Sequence, residues 1–229
     1  MFTEIASVYD LVKSHRDYAG EAATIRRLIH QHASTAKTLL DVACGTGSLL
    51  AFLTGYHRVG LDASTLMLDV ARNKLGDEVG LHHGRMESFQ LSQTVEVLLC
   101  LDGALGYVSA RDLETTLTNF ARHMTGGGLV VVEPWYTPEA WRPGLVHVVH
   151  HQDEATTVVR VGYGYPNGRI DFHNVVGTAD GIRHFDERYD FTLHTDQALQ
   201  TAFRKAGFTE VRQEAAPGFG RGLYLARRM

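Results

Sequence analysis

Residues 37–47 read KTLLDVACGTG. The apolar run from Lys37 to Ala43 predicts a buried strand, and the glycines end it in a tight turn. Gly45 and Gly47 allow that turn and let the backbone approach a ligand closely. The next stretch, SLLAFLTGY, is expected to be a helix that stops at Gly55. Its N-terminus would offer free N–H groups and a positive dipole end to an anion. Asp62 lies 17 residues after Gly45, at the expected end of a second strand (HRVGLD). An acid there accepts two hydrogen bonds from a ribose 2′,3′-diol. Together these features describe a nucleoside-cofactor site. A dinucleotide fingerprint would want a small residue at position 50, and Leu50 argues against NAD.

Outward from this loop the periodicity alternates. Residues 20–33 carry Ile25, Leu28 and Ile29 on one helical face. STLMLDVARNKLG predicts a helix with Ser64 as N-cap and Gly76 as stop. EVGLHHGRM and VEVLLCLDG read as the third and fourth strands, ARDLETTLTNFARHM as an amphipathic helix, and GGGLVVVEPW as a fifth strand. Such alternation demands an α/β fold, a doubly wound, Rossmann-like parallel sheet with helices on both faces. After Trp135 the period changes to two. Residues 144–193 read as an antiparallel meander with turns at Asn167-Gly168 and Asp180-Gly181. A helix (DQALQTAFRKAG) and a closing strand pair (FTEVRQEA, GLYLARR) follow. The expectation is one domain over 1–229. It comprises a helical cap (1–35), a cofactor-binding core (36–134), a β-rich acceptor insertion (135–194) and a C-terminal helix with closing strands (195–229).

Composition narrows the class. A net charge of −4 argues against a dedicated nucleic-acid partner. Cys44 and Cys100 cannot form a disulfide framework, which points to a reducing, cytoplasmic setting. No run of about 18 apolar residues suggests a membrane span, and MFTEIASVYD resembles neither a signal nor a transit peptide. Thirteen histidines invite a metal reading. On a strand, however, only His147 and His151 share a face, and no Cys or acid joins them at ligand spacing, so no metal is expected.

The segment Asp41-Val-Ala-Cys-Gly-Thr-Gly47 resembles the first motif of class I S-adenosylmethionine-dependent methyltransferases. The strand rhythm and the glycine turn before VVVEPW resemble the rest of that family's seven-stranded core. A narrower resemblance, in LLDVACGTG, FARHMTGGGLVVVEPW and GRGLYLARR, is to dTDP-linked amino-sugar N-methyltransferases of antibiotic sugar biosynthesis. It implies S-adenosyl-L-methionine as cofactor and a nucleotide-linked sugar as small-molecule substrate. Cofactor contacts are implied at Asp41, Ala43, Gly45 and Gly47, and at Asp62, Ala63 and Met67. Tyr9 and Tyr18 would close an N-terminal helix over the cofactor, with Met86 and Leu101 lining its adenine and methionine sides. Arg221, between two glycines, would meet the diphosphate.

Three departures bear on the acceptor. Arg85 stands where related enzymes carry an acid before Met86, and Glu87 or a backbone carbonyl is the candidate replacement. Tyr107 stands where a His near the amine is common, and an aromatic residue expected just before FTEIA is absent. With an unperturbed pKa of about 10, Tyr107 is a poor base. It is therefore read as an orienting partner of the acceptor nitrogen, and Asp102 as an electrostatic or proton-accepting group. Trp135, Tyr136 and Trp141 either wall the acceptor pocket or pack the meander onto the core; Trp135 is taken as a substrate contact. A homodimer contact through the meander edge is expected. The alternatives are an N- or O-methyltransferase of another small metabolite, or a cofactor-binding protein without turnover.

Overall fold

The computed structural model describes residues 5–229; Met1–Glu4, the first part of the stretch examined for a leader, lie outside it. The chain opens with a 3₁₀ turn (Ile5–Val8), a one-turn helix α1 (Tyr9–Val12) and helix α2 (Tyr18–His32). The core follows as β1 (Thr38–Val42), α3 (Ser48–Phe52), β2 (His57–Asp62), α4 (Thr65–Leu75), β3 (Val79–His83), β4 (Val95–Cys100), α5 (Leu113–Arg122) and β5 (Met124–Val132). The meander is β6 (Val146–Gln152), β7 (Thr157–Gly164), β8 (Arg169–Thr178) and β9 (Gly181–Asp190). Helix α6 (Asp196–Lys205), β10 (Phe208–Ala216) and β11 (Phe219–Arg228) complete it.

The main sheet has the order β10-β11-β5-β4-β1-β2-β3, parallel except for β11, which runs against both its neighbours, β5 and β10. Its central strands are buried on both faces: Leu98, Leu99, Val130 and Val131 have about 0% exposure. Such strands must be covered by helices on either side. One layer packs Leu40, Val42, Phe120 and Phe203 together, and the other packs Ile25, Leu28, Leu39 and Leu50. Helix α2 is thus a layer of the core, and only residues 5–17 form a strap over the top. The strap's Ile5, Val8 and Val12 bury against Met67 and against Val149, Val158 and Phe185 of the meander.

Local capping follows the sequence closely in two places. Ser64 accepts a hydrogen bond from the Met67 N–H, and Gly76 ends α4 at φ +57°. In a third it differs. Helix α3 is capped at Leu53 and ends at Phe52; Gly55 makes the following turn at φ +92° instead. Five residues of helix sum to a weak dipole, so what the start of α3 offers a ligand is its first-turn N–H groups more than a macrodipole. The meander forms a separate four-stranded antiparallel sheet, β6-β7-β8-β9.

Candidate active site

The C-terminal ends of β1, β2, β4 and β5 converge at the point where strand order reverses, which is where open α/β sheets bind ligands. The glycine turn sits there at Gly45 (φ +56°) and Gly47 (φ +72°). A side chain at Gly47 would meet Leu75 Cδ1 at 2.5 Å, whereas Gly45 has nothing within 4 Å of its Cβ position. The turn is therefore packed on the α4 side and open beside Gly45, as a backbone that cradles a ligand must be. Asp62 accepts from Gly45 N and Ser64 N, both at 2.8 Å, which locks the end of β2 to the turn. The Ala63 N–H is a third donor to it, and with about four lone-pair sites the carboxylate keeps room for a hydroxyl. Burial raises the Asp62 pKa despite these N–H bonds. Asp41 is paired in register with Gly60, and burial together with Asp62 pushes its carboxyl up to about 7.

The strap closes over this turn. Asp10 Oδ1 accepts from Thr46 Oγ1 (2.5 Å) and Ser48 Oγ (3.0 Å), and Lys74 Nζ lies 2.7 Å from Oδ2. Burial would raise the Asp10 carboxyl, but Lys74 and Thr46 outweigh it and hold it below its usual range. Tyr9 and Tyr18 lie under Lys13 and Arg16, whose charged groups sit 5.7 and 4.9 Å from the ring centroids. Burial raises the pKa of both phenols, so they stay protonated. Met67 is buried beneath the strap, Leu101 is buried at the end of β4, and the half-buried Met86 packs against the core. Ala63 O bonds the His83 ring. Arg85 pairs with Glu87 at 2.8 Å on the surface, which ties down the acid considered as its replacement.

Beside this cleft lies a cavity of about 800 Å³. Its walls are the strap (Lys13, Arg16), Asp102 and Glu133 at the ends of β4 and β5, Trp135 and Trp141, the inner face of the meander (Arg160, Phe172) and the β10–β11 turn with Arg221. Three cations and two acids meet on its floor. Asp102 is 2.9 Å from both Lys13 Nζ and Arg16 Nη1 and 3.6 Å from Arg221 Nη2. Burial pushes its carboxyl up, but these three cations outweigh burial and keep it below the usual range. Glu133 accepts from Asp102 N and pairs with Arg221 at 2.9 Å. Burial wins there, and the Glu133 pKa is raised.

Of the residues singled out from the sequence, the cavity gathers Asp102, Trp135, Tyr136, Trp141 and Arg221. Arg221 is held against the cavity wall. Its Nε donates to Pro134 O, and its guanidinium lies 5.1 Å from the Trp135 ring centroid. Tyr107 is not on the wall. Its ring packs 4.7 Å from Phe191 and 6.1 Å from Tyr189, and burial holds its hydroxyl protonated. Trp135 serves both readings left open above: it lines the cavity and stacks on Phe191 at 4.2 Å. Lys13, Arg16, Glu133 and Arg160 were not anticipated.

The methyltransferase domain family matches residues 39–128. A Streptomyces fradiae dTDP-3-amino-3,6-dideoxy-alpha-D-glucopyranose N,N-dimethyltransferase is 38% identical, over 96% of this chain and 89% of that protein. A Streptomyces venezuelae dTDP-3-amino-3,4,6-trideoxy-alpha-D-glucopyranose N,N-dimethyltransferase is 36% identical, over 96% of each. The chain belongs to the sugar N-methyltransferase family. As such it is an S-adenosylmethionine-dependent methyltransferase. The crystal structure of Streptomyces venezuelae DesVI superposes with a TM-score of 0.92 at 34% identity, covering 100% of both chains. The S-adenosylmethionine-bound CalS10, an amino pentose methyltransferase from Micromonospora echinaspora, gives 0.85 at 30% identity, over 100% of this chain and 98% of that one. Among the described residues no helix is long and apolar enough to cross a membrane.

Proposed function

We propose that this enzyme N-methylates the amino group of a dTDP-linked deoxyaminosugar. The observation that carries the reading is the polar-floored, aromatic-walled cavity lying next to the glycine turn, in a chain that matches amino-sugar N,N-dimethyltransferases over 96% of its length. The bound cofactor supplies an electrophilic methyl group. Gly45 and Gly47 give it a close backbone, and Asp62 takes the ribose hydroxyls. Asp41, Ala43, Ala63, Met67, Met86 and Leu101 complete its surroundings beneath Tyr9 and Tyr18. The protein's contribution to transfer is alignment of a neutral amine at about 3–3.5 Å and exclusion of water. Asp102, held ionised by Lys13, Arg16 and Arg221, acts electrostatically, fixing these three cations on the cavity floor, rather than as the proton acceptor. Tyr107 acts from behind, fixing the loop that carries Asp102. Arg221, on the cavity wall with Lys13 and Arg16, faces the diphosphate.

The chain acts in the cytoplasm, where Cys44 and Cys100 stay reduced. It pairs with a second copy through the outer face of the four-stranded sheet, where Val146, Val148 and Ile182 are more than half exposed (56%, 60% and 70%). Light scattering checks the pairing, and a monomer at micromolar concentration refutes it.

Calorimetry tests the ligand classes. S-adenosylhomocysteine and a dTDP-3-amino sugar should each bind at micromolar affinity. Binding of NAD with neither of these would reverse the reading.

A further inference from the structure

Four buried side-chain polar atoms have no hydrogen-bond partner among the described residues: Arg58 Nε, Trp135 Nε1, Arg160 Nε and Asn174 Oδ1. Three of the four belong to the acceptor side. Trp135 and Arg160 line the cavity, and Asn174 is the register partner of Arg160 on the adjacent strand. An unmet buried N–H costs about 1–3 kcal/mol, so native proteins rarely leave several together unless something else meets them.

The chemistry of the missing partner follows from what Arg160 already has. Its charge is balanced: Nη2 is 3.1 Å from Glu187 Oε2, Tyr189 also hydrogen-bonds it, and the guanidinium stacks 3.7 Å from the Phe172 ring centroid. Glu187 in turn accepts from the Tyr189 hydroxyl and from Asn174 Nδ2. The site therefore does not call for an anion. Two unmet donors, Arg160 Nε and Trp135 Nε1, with an unmet acceptor nearby at Asn174, suit a neutral group that both accepts and donates. A hydroxyl is such a group. Arg160 lines the same cavity as Asp102 and the strap's Lys13 and Arg16, where the sugar nucleotide must lie.

We infer that Arg160 and Trp135 form a donor pair that reads a ring hydroxyl of the acceptor, so that the enzyme favours amino sugars retaining a hydroxyl beside the amine over their deoxy counterparts. This rests on the amino-sugar reading above and sharpens it. The two Streptomyces relatives are named for acceptors on either side of this distinction, one 3,6-dideoxy and the other 3,4,6-trideoxy. The second lacks the oxygen at position 4, next to the 3-amino group. A site that hydrogen-bonds a substrate hydroxyl discriminates strongly against an analogue without it, because its own donors are then left unpaired.

The test compares kcat/KM for the dTDP-linked 3-amino-3,6-dideoxy and 3-amino-3,4,6-trideoxy sugars. It uses wild type, Arg160→Lys, which keeps a cation beside Glu187, and Trp135→Phe, which removes one N–H. Calorimetric affinity of each sugar for the S-adenosylhomocysteine complex is measured in parallel. Wild type should prefer the dideoxy sugar by ~100-fold or more. Each variant should lose at least ~10-fold on that sugar and under ~3-fold on the trideoxy one, in affinity as in turnover. Should Arg160→Lys fail to fold, Trp135→Phe and the wild-type ratio decide. Equal use of both sugars by wild type overturns the inference and leaves the amino-sugar reading standing. So does an equal loss on both sugars in the variants, which would place the donors on a shared group such as the diphosphate. Failure of wild type to bind or methylate either sugar overturns both readings.

Discussion

Arg221 bridges two carboxylates on different strand ends: its Nη2 is 2.9 Å from Glu133 Oε1 and 3.6 Å from Asp102 Oδ1. Glu133 is almost fully buried, so its charge depends on this contact. Arg221→Ala leaves a buried carboxylate without its cation, a change that typically costs about 3–5 kcal/mol. A fall in melting temperature is expected at pH 7, together with a ~10- to 150-fold higher acceptor KM. Cofactor affinity should hold. An unchanged acceptor KM would remove the diphosphate role of Arg221.

Asp102 carries its charge on a left-handed backbone, φ +52°. Asparagine tolerates that conformation, so Asp102→Asn isolates the charge from the backbone. The folded pKa lies below the usual carboxylate value. The stabilisation is therefore present above the unfolded pKa of about 3.8 and is lost as pH falls through the lower, folded value. Wild type should be more stable than Asp102→Asn at pH 7, and the gap should narrow only below about pH 4. Asp102→Asn should also reduce kcat/KM without removing an acidic limb from the pH–rate profile. A limb near neutral pH that disappears in the variant would make Asp102 the proton acceptor.

Asp41 has the opposite sign. Its folded pKa, about 7, is raised above the unfolded one. Stability is then lost as pH rises from about 4 to about 7, and the loss is constant above that. In ligand-free protein, the melting-temperature advantage of Asp41→Asn should grow over this window and then level off. A difference independent of pH would show that Asp41 ionises normally.

Asp10 links the strap to the glycine turn through Thr46, Ser48 and Lys74. Asp10→Ala removes three contacts at once and should weaken S-adenosylhomocysteine ~10-fold or more while speeding its dissociation. Stopped-flow fluorescence reads the rate. An unaltered rate would mean that the strap does not control exchange.

Tyr107 tests the loop. Tyr107→Phe keeps the packing on Phe191 and Tyr189 and should cost at most ~10-fold in turnover. Tyr107→Ala removes the ring and should destabilise the fold by about 3–5 kcal/mol. A dead but stable Tyr107→Phe would give the hydroxyl a direct catalytic part.

The parallel core was legible because its strands are apolar on both faces and its helices on one, a pattern visible within windows of a dozen residues. The meander was legible from Asn167-Gly168 and Asp180-Gly181. The polar floor of the cavity was not. Lys13 and Asp102 are 89 positions apart and meet only because the strap folds back over the sheet. Glu133 had a signal: it directly follows the buried β5, at the end of the sheet where ligands bind. Arg160 had one too. It shares the inward period of TTVVRVGYG with Val158 and Gly162, so a charge stood where the alternation called for an apolar residue. The length of α3 was misread because SLLAFLTGY has helical spacing up to Gly55, whereas the chain must turn at Leu53 to enter β2.

The most direct measurement is the mass of the product. The protein is incubated with S-adenosylmethionine and dTDP-3-amino-3,6-dideoxyglucose, and the sugar nucleotide is read by mass spectrometry. The account predicts a gain of one or two CH₂ units on the amino sugar, absent with Asp62→Ala. An unmodified sugar nucleotide, from protein that binds S-adenosylmethionine and methylates a different small molecule, would contradict it.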